Sequence, residues 1–252
     1  MLGVPVDAVD LGGAVAAVER FIASRRPHLV TTPNPEIIEA AGRDAELLRA
    51  LEAADLAVPD GVGLVWAARR LGHAIRGRVS GIDLASALFA HGAGRGVRFF
   101  FLGASPGVAA AAAGRVTAAH PGLVVAGTHH GYFPPPADAG LVAAVRDAAP
   151  DVLLVGMGSP RQEKWLCDNL QRLGVPACIT VGGAFDVLSG AVARAPAWVR
   201  ALSLEWLYRL ARDPRRWRRG LALPRFFWRV LVAARRSRRA GRTGRAGAAP
   251  PA

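Results

Sequence analysis

The chain has 252 residues and only two cysteines, Cys167 and Cys178, too few for a disulfide framework. Buried thiols in a reducing compartment are the simpler reading of the pair. No H-E-x-x-H segment or Cys/His cluster occurs, so no zinc site is expected; His129-His130 is a lone pair in a loop. No D-x-D occurs either, which removes the usual carboxylate grip on a metal-bound diphosphate. The turn "FLGASPGV" at 101–108 is not G-x-G-x-x-G, and the strand that follows ends on Gly127 and Thr128 rather than on an acid. A nicotinamide cofactor is therefore disfavoured, and a dinucleotide-dependent oxidoreductase with it. Apolar runs stay below the roughly 18 residues of a membrane span, so none is expected. The opening "MLGVPVDAVD" has neither the basic nor the apolar region of a signal peptide, so none is expected there. There is no internal repeat.

Lysine is nearly missing: Lys164 is the only one. The net charge of +13 is also absent from most of the chain. Residues 1–193 carry 16 basic and 17 acidic side chains, whereas residues 194–252 carry 16 arginines against Glu205 and Asp213. The basic excess belongs to the C-terminal segment alone and points to an anionic partner there.

Hydrophobic residues make up 52% of the chain, enough for a substantial core. Strand-like runs alternate with helical ones. "HLVTT" leads into a helix predicted from Pro35 to about Ala53, and "DLAV" leads through Pro59-Asp60-Gly61 into "VGLVWAARRL". "VRFFFLG", "LVVAGTHHGYF" and "DVLLVGMG" each precede a helical stretch, and "ACITVGG" closes the series. Strands this apolar are buried on both faces, which predicts a doubly wound α/β fold with a mostly parallel sheet. Ligands in such sheets bind at the carboxyl ends of the strands.

Polar islands fall at those ends. Thr32 and Asn34 follow the first strand, and Asp60 follows the second. Each also has a plain role as a turn former or helix cap. Gly103, in its glycine-containing turn, has backbone that could hold a phosphate or simply turn the chain. In "GMGSPRQEKW", Gly158 lets backbone approach a ligand, while Gln162 and Glu163 open a helix, where Glu163 could equally serve the helix dipole. "VGGAFDVLSG" repeats the device with Gly183 and Asp186, the latter a ligand acceptor or a cap. Convergence on one rim of one sheet favours the functional reading.

From Arg194 the composition changes. Trp198, Trp206, Trp217, Phe226, Phe227 and Trp228 alternate with leucines and arginines at helical spacing. That pattern fits a helix on an anionic membrane surface better than a nucleic-acid patch, whose stacking platforms usually lie on strands. The division expected is a catalytic domain over 1–193, a helical appendage over 194–235 and a disordered basic tail over 236–252.

Taken together, "TPNPE", "PDG", "GMGSPRQEKW", "GGAFDVLSG" and "RAPAWVRALSLEWLYRL" resemble the WecG/TagA/CpsF glycosyltransferases, glycosyltransferase family 26, to about residue 230. The resemblance implies a Rossmann-like fold with a C-terminal membrane-targeting appendage. It implies transfer of N-acetylmannosamine or a related sugar from a UDP-sugar donor to a lipid-diphosphate-linked sugar acceptor, with no metal and no cofactor. The enzyme would sit on the cytoplasmic face of the membrane, without nucleic acid; a homo-oligomer stays open. By motif position, Asp60 matches the family's catalytic base, Thr32 and Asn34 its T-x-N donor motif, and Gln162 the polar residue of P-x-Q-E. Arg209, Arg216 and Arg219 match appendage arginines that close over the diphosphate, with Arg215 and Arg218 as adjacent alternatives. Arg78 and Asp83 belong to a segment like the family's R-x-x-G-x-D. A uronic acid donor would want an added cation, for which Arg76 and Arg78 are available. A non-catalytic nucleotide-sugar or nucleic-acid binding module remains the alternative, and turnover of UDP-sugar separates the two.

Overall fold

The computed structural model describes residues 1–134, 138–196, 198–199, 207–208 and 222–246. Six strands form one sheet in the order β2-β1-β6-β5-β3-β4: β1 His28–Thr31, β2 Leu56–Ala57, β3 Arg98–Gly103, β4 Val124–His129, β5 Val152–Gly156 and β6 Ala177–Thr180. Every pairing is parallel. Alternate residues of β1, β3, β5 and β6 feed two separate cores, as the two-residue side-chain period requires. Phe99, Phe101, Leu154 and Ile179 pack beneath α1 (Leu11–Ser24), α5 (Gly81–Gly92), α6 (Val108–Ala119) and α9 (Ala184–Leu188). Phe100, Leu102, Leu153, Val155 and Cys178 pack beneath α7 (Asp138–Asp147) and α8 (Arg161–Leu173). Cys178 is buried, Cys167 is half-buried, and both are free.

A third core lies beyond the β2 edge. It joins α2 (Pro35–Ala41), α3 (Ala45–Glu52), α4 (Val62–Arg70) and α10 (Ala222–Ala246). Phe226 and Val230 of α10 are fully buried there against Ile37, Ile38 and Leu64. Burying one such aromatic stabilises the docking by about 1.5–3 kcal/mol.

The helices differ from expectation in two places. The helix predicted from Pro35 to about Ala53 is two helices. Gly42 ends α2, and the Asp44 side chain accepts from Leu47 N at 3.0 Å to start α3. Helices α1 and α5, not anticipated, begin at side-chain caps of the same kind, Asp10 and Ser80. Helix α10 runs to Ala246; arginine, the commonest residue of its last turns, is a good helix former.

Candidate active site

A cleft of ≈ 840 Å³ opens at the carboxyl ends of β1, β2, β5 and β6. Among the sequence-predicted residues it gathers Thr32, Asn34, Asp60, Arg78, Gly158, Gln162 and Gly183 on its walls. The backbone holds three of the loops together. Asp60 N donates to Pro33 O at 3.0 Å, and Val79 N donates to Pro59 O at 2.9 Å. The loop with Asn34, the loop with Asp60 and the segment with Arg78 therefore form one framework.

Asn34 and Thr32 are each anchored to the framework by side-chain hydrogen bonds. Asn34 caps α2 through Oδ1, which accepts from Ile37 N at 3.0 Å, a contact worth about 0.5–2 kcal/mol. Thr32 is stitched to β6: its hydroxyl donates to Thr180 O and its N–H donates to Thr180 Oγ1, both at 3.1 Å. Gly158 has a φ of +78°, a left-handed conformation that side chains rarely adopt, and a Cβ there would meet nothing within 4 Å. The chain thus turns away with bare backbone facing the cleft.

Four predicted residues lie outside the walls. Gly103 ends β3 so close to β5 that a Cβ would sit 2.3 Å from Gly156 O; its glycine serves the strand contact. Asp186 lies within α9 behind Gly183, where a Cβ on that glycine would be 3.4 Å from Asp186 Oδ2. Glu163 is fully buried behind Gln162, and Asp83 stands behind Arg78. Arg209, Arg216 and Arg219, with Arg215 and Arg218, lie outside the described residues. Arg76 does not line the cleft.

Residues 1–240 match the model of the family described as Glycosyl transferase WecG/TagA/CpsF family. The chain belongs to this family. It is 33% identical over 214 residues to the N-acetylglucosaminyldiphosphoundecaprenol N-acetyl-beta-D-mannosaminyltransferase of Bacillus subtilis (strain 168), covering 84% of this chain and 82% of that one. The protein of the same name from Staphylococcus aureus (strain MW2) is 31% identical over 242 residues, covering 95% of this chain and 94% of that one. A Bacillus spizizenii relative (strain ATCC 23059 / NRRL B-14472 / W23) of that name is 33% identical over 217 residues, covering 86% and 84%. The protein is thus a glycosyltransferase.

Two groups behind the transferase's cleft set the orientation of groups on its wall. Gln162 Nε2 donates to Glu163 Oε1 at 2.8 Å, while Gln162 Oε1 accepts from Gly182 N at 3.2 Å. Burial raises the Glu163 carboxyl above its usual range, and the hydrogen bond from Gln162 offsets only part of that. Ser159 flanks this carboxyl without closing a hydrogen bond of good geometry. Asp83 is shared: Oδ1 pairs with Arg194, and Oδ2 accepts from Ser80 Oγ at 2.5 Å and lies 3.5 Å from Arg78. Burial works to raise the Asp83 carboxyl, but Ser80, Arg194 and Arg78 outweigh it and hold it below the usual range.

The turn Gly103–Gly107 also has the G-x-S-x-G spacing of a nucleophile elbow. Its Ser105 is exposed and does not line the cleft. Among the described residues no three His, Cys, Asp or Glu side chains group as a metal site, and no helix is long and apolar enough to cross a membrane.

Proposed function

We propose that the chain transfers N-acetylmannosamine from a UDP-sugar to an N-acetylglucosamine carried on a polyprenyl diphosphate, with inversion and without a metal. The observation that carries the reading is the convergence of Asp60, Asn34, Gln162 and Arg78 on one cleft, in a chain whose relatives are named for that transfer. Asp60, at the end of β2, takes the proton from the attacking acceptor hydroxyl. The hydroxyl oxygen bonds to the anomeric carbon as the bond to the UDP oxygen breaks, and UDP leaves with the electron pair. One displacement inverts that carbon. Asn34 and Gln162 hold the sugar beside the base.

Charge grows on the departing diphosphate. With no D-x-D in the sequence, arginines supply the compensating charge: Arg78 on the cleft wall, and Arg209, Arg216 and Arg219 from the appendage. A neutral sugar suits the site better than a uronic acid, because Asp83 already shares the Arg78 guanidinium. The basic C-terminal segment places the enzyme at the inner face of the membrane as a peripheral protein.

The test is release of UDP from a panel of UDP-sugars, with and without a lipid-diphosphate N-acetylglucosamine acceptor. Acceptor-dependent turnover is expected to be fastest with the N-acetylmannosamine donor. No transfer from any UDP-sugar would overturn the reading and leave a binding module.

A further inference from the structure

The cleft has two chemically different halves. The half just described is polar. The other is built by Val62 and Trp66 of α4, Ile37 and Ala40 of α2, and Leu223 and Phe227 of α10. Trp66 is 39% exposed and meets the Phe227 ring edge-on, with ring centroids 4.9 Å apart. Gly63 lets these elements close up: a Cβ there would lie 3.1 Å from Pro35 Cγ and 3.4 Å from Phe227 Cζ. Beyond Ala40, Arg229 of α10 pairs with Glu39 at 3.0 Å and ties the two helices together. The result is an apolar slot that runs from the polar rim towards α10.

We infer that this slot receives the first isoprenoid units of the lipid-diphosphate acceptor, so that the enzyme reads the lipid as well as the sugar. The inference rests on the acceptor class proposed above. Its occupant follows from chemistry. A nucleobase or a peptide brings hydrogen-bonding edges, and desolvating them against aliphatic and aromatic side chains is costly. An isoprenoid chain has no such edges, and it gains from burial in proportion to its area. The slot is continuous with the rim that holds the reacting groups, as the lipid is continuous with the diphosphate. Its outer wall, α10, exposes Trp228 (64%) and carries Arg225, Arg235 and Arg236 on its exposed positions. Those are aromatic and cationic groups suited to the anionic surface from which the lipid emerges. No described helix is long and apolar enough to cross a membrane.

The experiment uses the full chain and N-acetylglucosamine diphosphates carrying a methyl group, a short prenyl chain or a long prenyl chain, in mixed micelles. The unaltered protein is expected to show kcat/KM rising from the methyl to the prenyl acceptors. In Trp66→Ala the ratio of prenyl to methyl kcat/KM should fall about tenfold or more, as for loss of a buried aromatic contact. Trp66→Phe should recover most of it. Phe227→Ala, on the opposite element, should reproduce the loss, so the test does not depend on the folding of one variant. A preference produced by partitioning into micelles is untouched by either substitution, and an unchanged ratio in both folded variants overturns the slot. An equal loss for all three acceptors also overturns it, because that marks a structural role. Absence of transfer to every acceptor by the unaltered chain overturns the transferase reading instead, and the slot falls with it.

Discussion

Substitution of Glu163 separates two jobs, orienting Gln162 and placing a titratable group in the protein interior. A glutamine amide can be turned over, exchanging its oxygen and its NH₂. Here both ends are read: Glu163 Oε1 takes a proton donor at 2.8 Å, and Gly182 N offers one at 3.2 Å. Gln162 therefore has one orientation, with its remaining N–H left for the cleft. Glu163→Leu removes the acceptor and leaves a buried N–H without a partner, at a cost of about 1–3 kcal/mol. If the whole penalty falls on the geometry of the transition state, turnover drops by about 5- to 150-fold. Glu163→Gln retains an acceptor oxygen and should stay within a few-fold of the unaltered enzyme. Steady-state kcat and donor KM, with thermal unfolding as the control for folding, decide the matter. A folded Glu163→Leu enzyme within about twofold of normal turnover would refute the orienting role.

The second job appears in the pH dependence of stability. Burial raises the Glu163 carboxyl, so the folded chain keeps a proton that the unfolded chain has released. Between the ordinary glutamate value and the raised one, the folded state binds more protons, and stability falls as pH rises. Above the raised value the loss is complete. Glu163→Gln abolishes this term, so its Tm relative to the unaltered chain should climb with pH through that interval and then level off. A flat or falling difference would contradict the assignment.

Asp60→Asn should slow transfer by about 10²–10⁴-fold while donor affinity stays near normal; equal loss of both in a folded protein would make Asp60 a binding residue. Transfer should persist in excess chelator, and complete loss restored by magnesium or manganese would count against departure assisted by arginine. Asp83→Asn weakens the hold on Arg78 and Arg194, so donor KM should rise more than kcat falls. Because the Asp83 carboxyl is held below its usual range, its contribution is present above the ordinary aspartate value and lost as pH falls through the lowered one. The variant should therefore be less stable near neutrality, by about 1 kcal/mol for a half-exposed pair, and the gap in Tm should close in acid.

The strands were legible because each is apolar on both faces, and Phe99 to Leu102 fill two cores in alternation. The rim was legible as well, since Asn34, Asp60 and Gly158 stand two or three residues past a strand, Gln162 opens the helix after β5, and all four line the cleft. What sequence could not resolve was which way neighbours on a helix face. Consecutive helical residues are about 100° apart, so with Gln162 towards the cleft, Glu163 points into the protein. Position in a first turn marks both alike. The same geometry redistributes the appendage aromatics. Their composition implied a membrane-facing helix, yet Phe226 is buried in the third core, Phe227 lines the cleft, and Trp228 is left on the surface.

Those three successive side chains make α10 part of the body, the site and the surface at once, and Phe226→Ala tests that arrangement. Truncating a buried phenylalanine costs about 3–5 kcal/mol. Here the loss falls on the seating of α10 against α2 and α4, because the two cores that flank the sheet contain no α10 residue. The polar groups past the ends of β1, β2 and β5 keep their framework, while the outer wall of the slot loses its anchor. Transfer to a methyl-diphosphate acceptor should then fall less than transfer to a prenyl one, with most of the loss in acceptor KM. Hydrogen exchange should rise in residues 222–236 and stay low in β3 and β5. If exchange rises across the sheet instead, Phe226 supports the whole fold. If α10 loosens while the preference for prenyl acceptors survives, the apolar wall is not what reads the lipid.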